Sequence, residues 1–347
     1  MYVELHARSG FSFLEGAAVP EEMAGACAQS GSPAMALVDR NGVYGAPRFH
    51  MAAKKAGIRA HTAAEITCTN GHSYPLLAAT REGYQNLCRL ITRMKLRAKK
   101  GEGAATLEEL AEFARGLICL TRHPEQRLVE IFGRANVYAE LQRHHLREED
   151  AANQAIVERA RRLRIPLVAT NGAAYSTPDR RELLDVFTCI RNHVTLASAG
   201  RLLERNGERH VKTPAEMARL FADLPEALAS TLEISSRLEF TLDRVTRAAA
   251  LARLPNGRAV RIAGFVIVRQ RPGTAKGFVF LSVEDETGIF NVIIDPKTFD
   301  RCKLVVLTER FLLIDGALQN VDGVVSVKAA RVAALPEGAA AEVHNFR

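Results

Sequence analysis

The run VRIAGFVIV RQRPGTAKG FVFLSVE DETG IFNVIID, residues 260–295, decides the fold of the second half of the chain. Val260–Val268, Phe278–Glu284 and Ile289–Asp295 are rich in β-branched and aromatic residues and read as strands. Pro272-Gly273 and Gly277 break the first from the second, and Asp285–Gly288 breaks the second from the third. Asp-Glu-Thr-Gly is most simply a tight hairpin turn, not a metal site. Working outward, PKTFDRC (Pro296–Cys302) reads as a short helix, RFLLIDGALQ (Arg310–Gln319) as a fourth strand, NVDG (Asn320–Gly323) as a turn, and VVSVKAARVAAL (Val324–Leu335) as a fifth strand.

Five strands with one helix between the third and fourth is the order of an OB-fold barrel. Such barrels engage ligands with the face of strands 2 and 3 and with the loops joining strands 1–2 and 4–5. The first of those loops carries Arg269, Arg271 and Lys276, and the neighbouring strands offer Phe278, Phe280 and Phe290. Cations for phosphates beside aromatic rings for bases are what single-stranded nucleic acid needs, so single-stranded DNA is the expected partner. Strand alternation places Phe278 and Phe280 on one face, so both are core or both are exposed. Three loop cations have no packing role to explain them.

Toward the N-terminus the pattern changes to short apolar strands alternating with helical stretches. Strands are expected at residues 2–5, 34–38, 59–64, 74–78, 117–120, 137–141 and 166–169, with helices at 20–30, 46–56, 83–96, 107–113 and 148–162. That alternation argues for parallel strands with crossover helices, better suited to a compact, irregular (β/α)7-like barrel than to a long open sheet. Residues 178–242 read as helical, with Thr177-Pro178 and Thr213-Pro214 as helix starts and Glu216 completing a capping box. The expected division is a barrel at 1–177, a helical segment and linker at 178–254, and the OB domain at 255–347. Gly338–Glu342 reads as a loose tail.

The 347 residues accommodate two domains, and a net charge of +8 suits a polyanionic partner. No apolar run reaches the ~18 residues of a membrane helix. Met1–Ser9 reads as a strand with neither the basic nor the apolar region of a signal peptide, so no membrane role and a cytoplasmic location are expected. The six cysteines are scattered without a CxxC pair, which argues against a disulfide framework or a zinc ribbon.

His6, Asp39, Glu65, His144 or His145, and Asn171 fall at the C-terminal ends of expected strands, the rim where an α/β barrel gathers its chemistry. Imidazoles and carboxylates converging there are the ligand types of a hydrolytic zinc or manganese site.

LHARSGFSFLEGA (Leu5–Ala17), ALVDRNGVYGAPRFHMAAKKAGI (Ala36–Ile58), TREGYQNLCRLIT (Thr80–Thr92) and LVATNGAAYSTPDRRELLDVFTCIR (Leu167–Arg191) resemble the PHP domain of bacterial C-family DNA polymerases, the error-prone branch above all. Arg201–Leu228 resembles the stretch after that domain, Arg261–Ile294 the family's OB domain, and the final VHNFR its closing residues. The resemblance implies a PHP-type barrel, a DNA partner, and a place beside DNA-repair and damage-tolerance or replication proteins.

Departures from the family pattern fall on the chemistry. His-x-His reads His6-Ala7-Arg8, Asp-His reads Asp39-Arg40, and Asn-Asp-x-His reads Asn171-Gly172-Ala173-Ala174. His6, Asp39, Glu65 and His144 match ligand-type positions. Arg8 and Arg40 stand where imidazoles belong, and a guanidinium cannot lose its charge to accept a cation. They are expected to pair with Asp39 and Glu65. The family's polymerase core would separate the two domains, yet about fifteen residues join them here. No Asp-x-Asp occurs anywhere to seat the two metals of nucleotidyl transfer. The expectation is therefore a shortened relative of an error-prone polymerase with a degenerate PHP site, no confident cofactor, and DNA binding through Arg269, Arg271, Lys276, Phe278, Phe280 and Phe290. The alternatives are a zinc- or manganese-dependent PHP phosphoesterase using His6, Asp39, Glu65 and His144, and an interaction scaffold or nonfunctional remnant.

Overall fold

Seven strands stand where the apolar runs of the first half place them: β1 (Glu4–Ala7), β2 (Ala34–Arg40), β3 (Arg59–Thr67), β4 (Ser73–Ala78), β5 (Leu117–Thr121), β6 (Val137–Leu141) and β7 (Leu167–Ala169). Between them lie α1 (Pro20–Gln29), α2 (Ala46–Ala56), α3 (Arg81–Leu96), α4 (Leu107–Phe113), α5 (Gln126–Phe132) and α6 (Arg147–Leu163). The computed structural model describes residues 1–99, 101–242, 246, 248–285, 287–321 and 324–334. It divides into two compact units, Met1–Leu242 and Asp243–Arg347. Glu286, Asp322-Gly323 and everything from Leu335 onward, including Gly338–Glu342 and VHNFR, lie outside the described residues.

The strands form one sheet in sequence order, a half-barrel rather than a closed ring. Pairing is parallel for β1–β2, β2–β3, β5–β6 and β6–β7, but β4 runs antiparallel to both β3 and β5. The uniform parallel alternation expected from the sequence therefore breaks at β4. Only Cys68–His72 join β3 to β4, too few residues for a crossover, which takes a dozen or more. They close a hairpin instead, with Cys68 N–H donating to the His72 carbonyl at 2.8 Å.

After β7 come α7 (Arg181–Asn192), α8 (Leu196–Ala199), α9 (Pro214–Leu220) and α10 (Pro225–Arg237). Thr213 caps α9, its hydroxyl accepting from Glu216 N–H at 3.2 Å while Glu216 accepts from Thr213 N–H at 2.7 Å. Ile234 and Leu238 at the end of α10 pack with Leu5, Val38, Ala63, Ile118, Leu120 and Val168 from five strands. Met217, Phe221 and Ala227 join a second core under α3, α4 and α6. The helices after β7 are thus part of the first unit's core. Among the described residues no helix is long and apolar enough to cross a membrane.

In the second unit a short α11 (Ala248–Leu251) precedes β8 (Ala259–Gln270), β9 (Val279–Asp285), β10 (Gly288–Ile294), α12 (Pro296–Thr308), β11 (Phe311–Val321) and β12 (Val324–Ala334). The strands close as a barrel in the order β10-β12-β11-β8-β9, with the helix between the third and fourth, which is the OB order. Val260, Ile262, Leu281, Val283, Phe290, Val292, Ile314 and Val327 fill it. Sharp strand bending needs Gly264 and Gly316, whose added Cβ atoms would sit 2.2 Å from Glu284 O and 2.3 Å from Lys328 O. The Asp285 carboxylate accepts from Thr287 N–H at 2.7 Å and Gly288 N–H at 3.1 Å, which makes the β9–β10 connection a side-chain-closed turn.

Candidate functional site

β1 delivers Glu4 and His6 to the strand-end rim, and β6 delivers Glu140. His6 Nδ1 lies 2.7 Å from Glu140 Oε1, both side chains buried. Burial alone would lower the His6 pKa, but the Glu140 charge and hydrogen bond outweigh it and raise the imidazole above its ordinary value. Burial pushes Glu140 up, yet His6 and the Thr170 hydroxyl bring it down to about 2. Thr170 Oγ1 donates to Glu140 at 2.5 Å and Gln142 Nε2 donates at 3.1 Å. Glu4, raised by burial, accepts from the Tyr2 hydroxyl at 2.8 Å, His6 N–H at 2.8 Å and Asn171 N–H at 2.9 Å.

A second cluster neutralises the guanidiniums. Arg8 donates to Glu65 and lies 3.6 Å from Glu15; Arg40 also reaches Glu15, with Arg191 at 3.5 Å. Burial would raise Glu65, but Arg8, then His6 and Arg40, hold it below the usual carboxylate range. Asp39 is bound differently from the sequence expectation. Its oxygens accept from Ser9 N–H at 2.8 Å, Ser9 Oγ at 2.8 Å and Ser12 Oγ at 2.8 Å. Thus Arg8 does pair with Glu65, whereas Asp39 is held by serines and Arg40 turns to Glu15.

His144 is held apart from these groups, its Nδ1 2.6 Å from Glu149 and its Nε2 2.8 Å from the Asn171 carbonyl. His145 is exposed, 3.9 Å from Glu208. Asn171 donates to the carbonyls of Glu208 and His210 at 2.8 and 2.7 Å. Gly172 has φ +58°, and a Cβ there would stand 2.7 Å from Gln142 Nε2. The Gln142 amide therefore fills the space in which a side chain at 172 would begin.

In the OB barrel Val279, Leu281 and Val283 point inward, leaving Phe280, Ser282 and Glu284 outward. Phe280 is 36% exposed and Phe278 half-buried, so this pair belongs to the surface and not to the core. Phe280 pairs with Gln270 on β8 and Ile293 on β10, and Ile293 with the exposed Lys328 on β12. Phe290 is 3% exposed and lies in the core with Val283, which corrects its assignment to the binding face. Arg269 is likewise corrected as a free cation: it donates to Val306 O at 2.8 Å and to Glu309 O, tying β8 to the end of α12. The Arg271 guanidinium sits 4.9 Å over the Phe299 ring. Lys276 is exposed at φ +49° and has no ion-pair partner among the described residues.

Residues 4–166 match the PHP domain family, and residues 260–335 match the family of OB-fold nucleic acid binding domains. An error-prone DNA polymerase of Anaeromyxobacter dehalogenans is 36% identical over 296 residues, which cover 79% of this chain and 26% of that protein. Error-prone DNA polymerase 1 of Rhizobium meliloti is 38% identical over 268 residues, 71% of this chain and 23% of that one. This chain is a relative of the error-prone DNA polymerases. It spans about a quarter of the length of the curated relatives it matches. Among solved structures, an amidohydrolase from Chromobacterium violaceum is 14% identical, with a TM-score of 0.34 over 50% of this chain and 88% of that one.

The zinc or manganese that the PHP resemblance implies does not fit the donors of this relative. His6 Nε2 is buried without a partner, but the Asp39 carboxylate is held by Ser9 and Ser12 donors, both His144 nitrogens are engaged, and Arg8 is locked beside Glu65. Among the described residues no three His, Cys, Asp or Glu side chains converge to hold an ion. Reading the sequence missed Glu4, Glu15, Glu140 and Gln142. The signal for two of them was present: Glu140 is the one charged residue of an otherwise apolar strand, and Glu4 shares the alternation of His6.

Proposed function

We propose that the chain binds single-stranded DNA through the outward face of its OB barrel, and that the PHP half is a salt-bridged relic of a metal site without hydrolase chemistry. The observation that carries the reading is Phe280, an exposed ring in the centre of a cross-strand row, Gln270–Phe280–Ile293–Lys328, beside the loop that carries Arg271 and Lys276. A ring on such a face stacks a base for ~1–3 kcal/mol, and each cation that meets a phosphate releases counterions. Arg269 is left out because its guanidinium already serves two carbonyls. With no Asp-x-Asp in the chain, we read it as a DNA-binding relative without a polymerase site, working beside other damage-tolerance or replication proteins.

Fluorescence anisotropy with a labelled oligodeoxythymidylate, repeated across a salt series, tests this. The Arg271→Ala, Lys276→Ala double variant is expected to bind more weakly and to flatten log K against log salt by ~0.7 per lost phosphate contact. Unchanged affinity and slope would rule the face out.

A further inference from the structure

A groove of about 470 Å3 opens on the first unit between the residues after β5 and one face of α6. Its lining is Arg122, His123, Ala152, Ala155, Ile156 and Arg159. The four helical positions follow an i, i+3, i+4, i+7 spacing, so they share one face of α6. Ala152 and Ala155 are too small to fill the space above them, and Ile156 supplies an apolar floor. Two guanidiniums and an imidazole edge form the rest of the wall, with no carboxylate among the lining residues.

Three of the four acids of α6 are committed elsewhere, and the fourth, Asp150, is not among the lining residues. Glu148 pairs with Arg205, Glu149 with His144, and Glu158 with Arg162. Arg122 and Arg159 have no ion-pair or hydrogen-bond partner among the described residues. The His123 ring stacks on His72 at 3.9 Å with an interplanar angle of 17°, and Glu125 lies 4.0 Å from His72 Nε2. Burial, with His72, Arg122 and Arg159 nearby, holds the His123 pKa below its ordinary value. The groove wall itself is cationic, with Glu125 the acid beside the imidazole stack.

We propose that this groove binds a small phosphomonoester, with Arg122 and Arg159 on the phosphate and the Ala152, Ala155 and Ile156 face under the apolar part of the ligand. Paired guanidiniums match the geometry of phosphate oxygens. The volume falls in the ~300–1,000 Å3 range of small-molecule sites, too little to wrap a duplex. None of these residues belongs to the OB barrel, so the proposal stands or falls separately from the DNA-binding reading.

Isothermal titration of the full chain with phenyl phosphate is the test. Saturable binding is expected, weakened about tenfold or more by Arg122→Ala and by Arg159→Ala, because each removes a charge-assisted hydrogen bond. Ala155→Trp keeps both cations but fills the groove, and is expected to abolish binding. All three sites are at the surface, and thermal melting of each variant confirms the fold. Absence of saturable binding, indifference to the arginine variants, or equal affinity for inorganic phosphate would overturn the proposal. Tight displacement of phenyl phosphate by an oligodeoxythymidylate would also overturn it, by assigning the groove to a nucleic-acid backbone.

Discussion

His6 Nδ1 stands 2.7 Å from Glu140 Oε1 in the buried mouth of the half-barrel, an imidazole and a carboxylate facing each other where the family pattern places metal ligands. The contact makes the site a charge pair of its own. Arg8 with Glu65 and Glu15 extends the same solution, so the rim neutralises itself with side chains instead of with an ion.

The pair gives a pH window. His6 titrates above its ordinary 6.5 in the folded state, so its stabilisation is complete below 6.5 and fades as pH rises through the raised value. Glu140 titrates at about 2 against an ordinary 4.5, so its stabilisation is present above 4.5 and fades as pH falls toward 2. Glu140→Gln is therefore expected to cost about 3 kcal/mol between those limits and less on either side. Urea denaturation at pH 5.5 and pH 9 checks it; an equal loss at both values would exclude the His6 coupling.

Dialysis against zinc or manganese followed by elemental analysis is expected to leave the protein without a stoichiometric ion. Arg8→His restores the His-x-His spacing, yet uptake should still fail, because Asp39 stays bound to Ser9 and Ser12 and residues 172 and 174 offer no ligand. The same variant strands Glu65 in a largely buried setting while Glu15 keeps Arg40 and Arg191, at an expected loss of about 3 kcal/mol. Stoichiometric metal in either protein would contradict the self-neutralised rim.

Gly172→Asp returns a carboxylate to its family position but meets a left-handed backbone and the Gln142 amide 2.7 Å from the new Cβ. We expect a loss of about 1–3 kcal/mol. Adding Gln142→Ala should recover part of that loss, a positive coupling in a double-mutant cycle. Strict additivity would mean that Gln142 is not the obstacle.

Two phenylalanines separate surface from core in the OB barrel. Phe290→Ala should destabilise by about 3–5 kcal/mol, since it empties a filled interior. Phe280→Ala should leave thermal stability nearly unchanged and weaken oligonucleotide binding by about 1–3 kcal/mol. A parallel loss of stability at both positions would return Phe280 to the core.

The OB barrel was legible because each strand is bounded by its own turn residues and alternates with a period of two. Even so, alternation could not say which face of Phe278 and Phe280 looks outward; Val279 and Leu281 had to be seen filling the barrel. Arg269 shows the converse. It reads as a loop cation, and only the approach of α12 presents the Val306 carbonyl it serves. In the first unit the strand positions were readable from apolar runs, but the antiparallel turn of β4 follows from a five-residue connection whose length carries no hydrophobic signal.

What the sequence determined by itself is local: seven strands and then five, the Thr213 cap of α9, and two arginines in place of imidazoles. Which acid answers each cation was decided by the tertiary structure. Glu140 meets His6 across 134 positions and Glu65 meets Arg8 across 57. Coulomb attraction depends on separation in space, and in a half-barrel the strand order, not distance along the chain, sets that separation.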